Sequence, residues 1–219
     1  MSRNTATKAC AVALSFALAG CALAPARESY VARLEALALL QAFNADLLSH
    51  DSATLTLERW CADHHMADPP RVVAQRMRGV AKAIPDDLRA RLAVDAAEPV
   101  AYRHVQLACG DHILSEADNW YVPSRLTPGM NRRLDTTDEP FGKVVKPLDF
   151  QRRTISAEVL WQPLPRGWEM STPRAYGALA IPREVLRHEA ILYTSAQLPF
   201  SAVVETYQSA LFDFDRRRR

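Results

Sequence analysis

Two charged residues sit where the alternation of the chain should place apolar side chains. In residues 100–109, Ala101, Arg103, Val105, Leu107 and Cys109 share one face of a strand, and Tyr102, His104 and Gln106 share the other. Arg103 therefore lies among apolar neighbours, and a buried guanidinium is costly unless it is paired. Its partner is either a carboxylate of the protein or the carboxylate of a ligand, which arginine grips through two parallel donors. In residues 199–208, Ser201, Val203, Glu205 and Tyr207 share a face. A carboxyl buried in such a strand has a raised pKa and can serve as acid, base or hydrogen-bond partner. The other readings are that Glu205 faces solvent or simply pairs with Arg103. Cys61 shares one side of a helix with His64 or His65, but no fourth ligand stands at a matching spacing, so surface histidines are expected and no metal. The chain has no glycine-rich phosphate loop and no G-x-S-x-G elbow.

The elements that must position these residues are legible in outline. Ala36, Leu37, Leu40, Phe43 and Leu47 recur at helical spacing and predict an amphipathic helix over 29–48. Asp51-Ser52 offers an N-cap for a second helix through Leu57, Trp60 and Cys61, which Pro69-Pro70 ends. A strand is expected over 72–80 and a short helix over 85–92, with Pro85 at its start and Asp86-Asp87 in its first turn. Residues 100–109 and 112–122 flank Gly110-Asp111 and read as a hairpin. Pro128 opens a helix through Met130 and Leu134. Further strands are expected over 148–161, 186–194 and 199–208, and residues 163–185, with four prolines, read as a loop or flap. Trp120, Tyr121, Trp161 and Trp168 read as core or flap packing. Early helices followed by hairpin-linked strands give an α+β fold: one antiparallel sheet with helices on one face or end.

The ends carry a separate message. Arg3 and Lys8 precede the apolar run 9–19, which is too short to span a bilayer that needs about 20 residues. Charge, short apolar run and small residues describe an export signal. Leu18-Ala19-Gly20-Cys21 fits the lipobox of bacterial lipoproteins, so Cys21 is expected to be the lipidated first residue of the mature chain. The alternatives are an ordinary cleaved signal or a start placed upstream of a cytosolic protein. The expected layout is a signal over 1–20, a tether over 21–30, one domain over 31–212 and a basic tail over 213–219. The expected address is the cell envelope, on the periplasmic face, at the outer rather than the inner membrane.

Without residues 1–20, Lys and Arg fall from 27 to 25, which equals the 25 Asp and Glu. Four of those cations are Arg216–Arg219, so the domain itself is mildly acidic, and no nucleic-acid partner is expected. The tail either touches anionic lipid or is a solvated terminus. A hydrophobic content of 48% with seven glycines argues against disorder. Cys61 and Cys109 either form a disulfide or remain buried thiols.

From these residues the chain resembles chorismate lyase and its wider superfamily. Asp51-Ser52-Ala53-Thr54 is similar to the family's Asp-Ser-Met-Thr segment at a helix start. Tyr102-Arg103 with Val105-Gln106-Leu107 is similar to its arginine strand, followed by the Gly-Asp hairpin and Val122-Pro123. Asp138-Glu139-Pro140-Phe141-Gly142-Lys143 is similar to its Thr-Pro-Leu-Gly-Arg segment. Val203-Val204-Glu205-Thr206-Tyr207 is similar to its late strand with a central glutamate. The match is spread over most of residues 34–208.

The resemblance implies about six antiparallel strands and a buried pocket for an aromatic acid. It makes Arg103 and Glu205 the catalytic pair, and it places both in substrate binding with backbone donors at Ala53 and Phe141. Arg103 and the two N–H groups would hold a carboxylate, and Glu205 would meet the ring hydroxyl end. It implies loss of pyruvate from chorismate to give 4-hydroxybenzoate, with no metal and no cofactor. This chain departs from the pattern at three places. Ala53 replaces methionine, Phe141 replaces leucine, and Asn119 stands where the enzyme has an arginine. The partners expected are a small aromatic carboxylate and a lipid anchor, on a monomer. Because chorismate is a cytosolic metabolite, export argues for the other reading, a non-catalytic envelope lipoprotein that binds an aromatic acid or serves a structural role.

Overall fold

The computed structural model of the protein describes residues 23–170 and 177–214. Cys21, the signal before it and the arginines of the tail lie outside the described residues. The chain runs α1 (Leu23–Leu48), α2 (Ala53–Asp63), β1 (Val72–Arg76), α3 (Asp86–Arg91), β2 (Ala101–Cys109), β3 (His112–Tyr121), α4 (Pro128–Thr136), α5 (Phe141–Val144), β4 (Gln151–Val159), β5 (Glu184–Tyr193) and β6 (Pro199–Gln208). The six strands form one sheet in the order β1-β2-β3-β6-β5-β4. Every neighbouring pair is antiparallel. This is the α+β architecture expected from the sequence and from the resemblance.

The differences are local and have causes. The first strand ends at Arg76 instead of reaching Val80, because Gly79, at φ 80°, turns the chain in a region other residues avoid. Strand β4 starts at Gln151 instead of residue 148, since a single 3-10 turn over Lys146–Leu148 and a left-handed Asp149 precede it. Helix α5 has only four residues, too few for a periodic signal, and was not expected. The β2–β3 hairpin turns at Gly110-Asp111, as its sequence predicts. Gly110 is at φ 54°, and a Cβ there would meet the Ala67 Cβ at 3.0 Å.

Helices α1, α2, α4 and α5 cover one face of the sheet. The apolar stripe of α1 buries Leu40, Phe43 and Leu47 against Leu57 and Trp60 of α2 and against Val105, Leu107 and Tyr207 of the strands. Phe43 meets Trp60 and Tyr207 edge-on, with centroids 5.0 and 5.2 Å away. A second cluster joins Met130 and Leu134 of α4, Phe141 and Val144 of α5, and Phe150, Leu192 and Phe200. On the opposite face, the short α3 lays Leu88 on Trp120, Ile191 and Ala202.

Of the two states open to Cys61 and Cys109, the structure shows the disulfide. It joins α2 to the end of β2 across 48 residues, with the Cα atoms 6.3 Å apart. Closing a loop of that length removes denatured-state entropy worth about 4 kcal/mol. The Cys61→Ala/Cys109→Ala variant should therefore lose stability of that order, measured as a lower urea midpoint with a steeper slope, since the unlinked denatured state is more expanded. An unchanged midpoint would show that the bond contributes nothing to the fold.

Candidate functional site

Strand register sets the site. Arg103 on β2 lies opposite Asn119 on β3, which lies opposite Val203 on β6; in the next inward-facing row, Val105 lies opposite Ala117, which lies opposite Glu205. Both sequence-predicted charges therefore point to the helix-covered face, two strands apart.

Arg103 is 2% exposed. Its Nη1 and Nη2 each donate to the Glu139 carbonyl at 3.1 Å, and Nη2 also donates to the Thr137 carbonyl at 3.4 Å. Its buried Nε has no partner. Among the described residues no carboxylate forms an ion pair with Arg103, so the alternative reading, a pair with Glu205, does not hold. Burial first, and then the nearby Arg76, lower its pKa from the usual arginine value. Its hydrogen bonds go to main-chain carbonyls, and the nearest favourable charges are those of Asp138 and Asp135, which form no ion pair with it.

Glu205 is held by another residue. Its Oε2 accepts from Arg152 Nη2 at 2.5 Å and from the Tyr207 hydroxyl at 3.1 Å. Side-chain exposure is 3% for Arg152 and 8% for Glu205. Burial works against the Arg152 charge, but Glu205 and Tyr207 outweigh it and raise its pKa. Burial, then Glu205, pushes the Tyr207 hydroxyl well above its usual range, so it stays a donor. Sequence reasoning missed Arg152. The available signal was Arg152-Arg153 at the start of a strand: by alternation, one of two successive arginines must face inward. Arg153 takes the outer side and lies over the Tyr193 ring.

The remaining two predicted residues supply main-chain donors. Ala53 and Phe141 are the first residues of α2 and α5. The first N–H groups of a helix have no acceptor within it, and neither of these finds one elsewhere among the described residues. Ser52 caps α2 by accepting from the Leu55 N–H at 3.3 Å. Lys143 of α5 pairs with Glu58 of α2 at 2.7 Å, which ties the two helices together. Gly142 allows this approach: a Cβ there would lie 2.9 Å from Ser52 Oγ and 3.0 Å from Thr54 Oγ1.

These groups surround a cavity with about 500 Å³ of atom-free space, the solvent at its mouth included. Arg103, Ala53, Phe141, Asn119, Arg152 and Glu205 all line it, with apolar wall from Val105, Leu107, Ala117, Leu192 and Val203. Ser201 donates to Asn119 Oδ1 at 3.0 Å, and no acceptor among the described residues takes the Asn119 NH2. The cation that the Asn119 position lacks is present on the cavity after all, supplied by Arg152 from a different strand. Phe141 packs on Tyr121 and Phe200, with centroids 5.5 and 6.3 Å away, and closes one side. Cys61 is taken by its disulfide, and His64 stacks on Trp60.

Fold and site together define an α+β protein with a buried cavity that presents donors at one end and a carboxylate at the other. The chain is 50% identical over 188 residues to the uncharacterized protein y4mC of Sinorhizobium fredii, which covers 84% of this chain and 79% of that one. The chain belongs to the same family as y4mC. No family model matches it. Among solved structures, it is similar to PhnF from Mycobacterium smegmatis, with 14% identity and a TM-score of 0.49 over 78% of this chain and 70% of that one. It is also similar to the possible transcriptional regulator YydK from Bacillus subtilis, with 13% identity and a TM-score of 0.41 over 68% of this chain. The chain spans 62% of the length of YydK.

These neighbours correct the expected address. YydK and other matched structures carry the names of transcriptional regulators, not of envelope lipoproteins. The lipid-anchored, periplasmic location is therefore withdrawn, and the argument from export against turnover goes with it.

Two expectations test the site's energetics. Glu205→Ala leaves the Arg152 charge buried and unpaired, at a cost of about 3–5 kcal/mol. Glu205→Ala/Arg152→Met removes both charges and should recover much of that loss in urea unfolding. Equal losses in the two variants would mean the ion pair is not the cause. The second test concerns His188, which is fully buried beside this pair. Burial, then Arg152, lowers its pKa from 6.5 to about 4, so it is neutral and its Nε2 meets Asn44 Oδ1 at 2.8 Å. A folded pKa below the unfolded value means stability is complete above 6.5 and is lost as the pH falls toward 4. His188→Gln should flatten that decline, which is on the order of 3 kcal/mol for this group, when unfolding is followed between those two pH values. An unchanged decline would exclude His188 as its source.

Proposed function

We propose that this cavity binds a small ring-bearing carboxylic acid, aromatic or cyclohexadiene in type. The carboxylate would lie against Arg103 and the N–H groups of Ala53 and Phe141, the ring along Val105, Ala117 and Val203, and a polar substituent toward Glu205. The observation that carries this reading is Arg103: a buried guanidinium with no carboxylate partner among the described residues, on a cavity that Ala53 and Phe141, the first residues of two helices, also line. Charge, hydrogen-bond donors and shape then favour a planar anion.

Turnover is the second reading, favoured by the oxygen of Glu205 that stays free. Oε1 accepts from no described residue, and Glu205 lines the cavity. With chorismate, the ring C–H electron pair would complete the aromatic ring as the ether C–O bond breaks. The proton would pass through Oε1 to the departing enolate, released as pyruvate beside 4-hydroxybenzoate.

Titration calorimetry with 4-hydroxybenzoate tests the first reading. Binding is expected, weakened about tenfold or more in Arg103→Ala by loss of a charge-assisted bidentate contact. If neither benzoate nor 4-hydroxybenzoate binds, the assignment of the cavity fails. Incubation with chorismate, followed by pyruvate assay, tests the second. Binding without pyruvate leaves a carboxylate-binding module.

A further inference from the structure

Arg152 reaches both ends of the cavity. Its backbone N–H donates to Asp51 Oδ1 at 2.7 Å, in the corner that precedes Ser52 and the N–H of Ala53. Its side chain runs along the inner face and donates to Glu205 Oε2 at 2.5 Å. The Tyr207 hydroxyl donates to the same oxygen. Two donors therefore converge on Oε2, and both belong to the protein. Oε1 takes part in neither bond, and Glu205 lines the cavity. The far end of the cavity is thus an acceptor held in one orientation, while the near end, at Arg103, Ala53, Phe141 and the Asn119 NH2, consists of donors.

We propose that Arg152 is a positioning residue that fixes Glu205 with Oε1 facing inward, and so restricts the site to acids with a neutral hydrogen-bond donor, hydroxyl or amine, opposite the carboxylate. This rests on the carboxylate reading above and deepens it. A ligand lacking the donor leaves Oε1 desolvated and unpaired. A ligand with a second carboxylate sets two anions face to face, since the only cation at that end, among the described residues on the cavity, is already engaged by Glu205. Selectivity then depends on a residue that need not touch the ligand.

The test compares benzoate, 4-hydroxybenzoate and terephthalate by titration calorimetry on the full chain. The wild type should prefer 4-hydroxybenzoate to benzoate by about tenfold or more, the scale of a hydrogen bond to a charged acceptor, and should bind terephthalate most weakly. In Arg152→Met the ratio of the two affinities should fall to near one, and Arg152→Lys should restore most of it. A role confined to stability would not shift this ratio. If Arg152→Met does not fold, Arg152→Met/Glu205→Gln, which buries no lone charge, should show the same loss of preference. Retention of the full preference in the variant that folds overturns the proposal. So does tighter binding of terephthalate than of 4-hydroxybenzoate by the wild type, which would make Arg152 itself an anion site. If benzoate binds and Arg103→Ala abolishes it while the wild type shows no preference for the hydroxyl, only the Arg152 proposal falls. If none of the three acids binds, both readings fall.

Discussion

The ion pair between Arg152 and Glu205 is the constraint on which the rest of the site depends. A buried carboxylate must find a partner, and it lies only two strands from Arg103 on the same face. If Glu205 reached Arg103, those two would cancel and the charge left over would be that of Arg152 instead of Arg103. Arg152, arriving from β4 on the far side of the sheet, takes Glu205 instead. Arg103 is left with main-chain carbonyls, which accept from its two Nη groups without neutralising its charge. The cost of burying three charges is met by one ion pair and a set of dipoles, and one unit of positive charge stays available.

The dipoles come from places where the chain must turn. Thr137 and Glu139 lie between the end of α4 and the start of α5, where carbonyls are no longer spent on helix bonds. Two residues further on, the polarity of the backbone reverses, and Phe141 offers an N–H in place of a C=O. One short connection therefore steadies Arg103 from behind and supplies a donor on the cavity. Helix α2 contributes the matching donor from the other side, and its place on the sheet is set by Trp60, whose indole N–H donates to the Leu211 carbonyl at 3.0 Å, and by the bond from Cys61 to Cys109. Donors at this spacing need both helices to be held, and each is held by contacts remote from the cavity.

Much of this was legible in the sequence, for reasons that can be stated. Arg103 and Glu205 break clean two-residue alternation in long strands, so their inward direction follows from the period alone. Ser52 marks a helix start, which places a free N–H at Ala53, whereas the donor at Phe141 was implied by the resemblance alone. Arg152 was not legible to the same degree. It belongs to an edge strand whose other side chains are mostly exposed, and a register irregularity between Thr154 and Ser156 blurs its alternation. Partner choice was the deeper gap: periodicity gives a direction for each charge, but which of three buried charges pair is decided by distances between strands far apart in sequence. The expected envelope address came from residues 1–21, which lie outside the described residues.

Gly142 has a consequence for how such a protein can change over time. The residue offers the cavity no side chain, yet an alanine there would bring a methyl to 2.9 Å from Ser52 Oγ and 3.0 Å from Thr54 Oγ1, so both side chains would have to shift. The Ser52 cap on the first turn of α2 would then be disturbed. A glycine codon becomes an alanine codon by one nucleotide change, so a descendant could keep the sheet, the buried charges and the disulfide while losing its ligand. Among relatives that share this architecture, the residue at this position would separate those that still have a chamber from those that have only its walls.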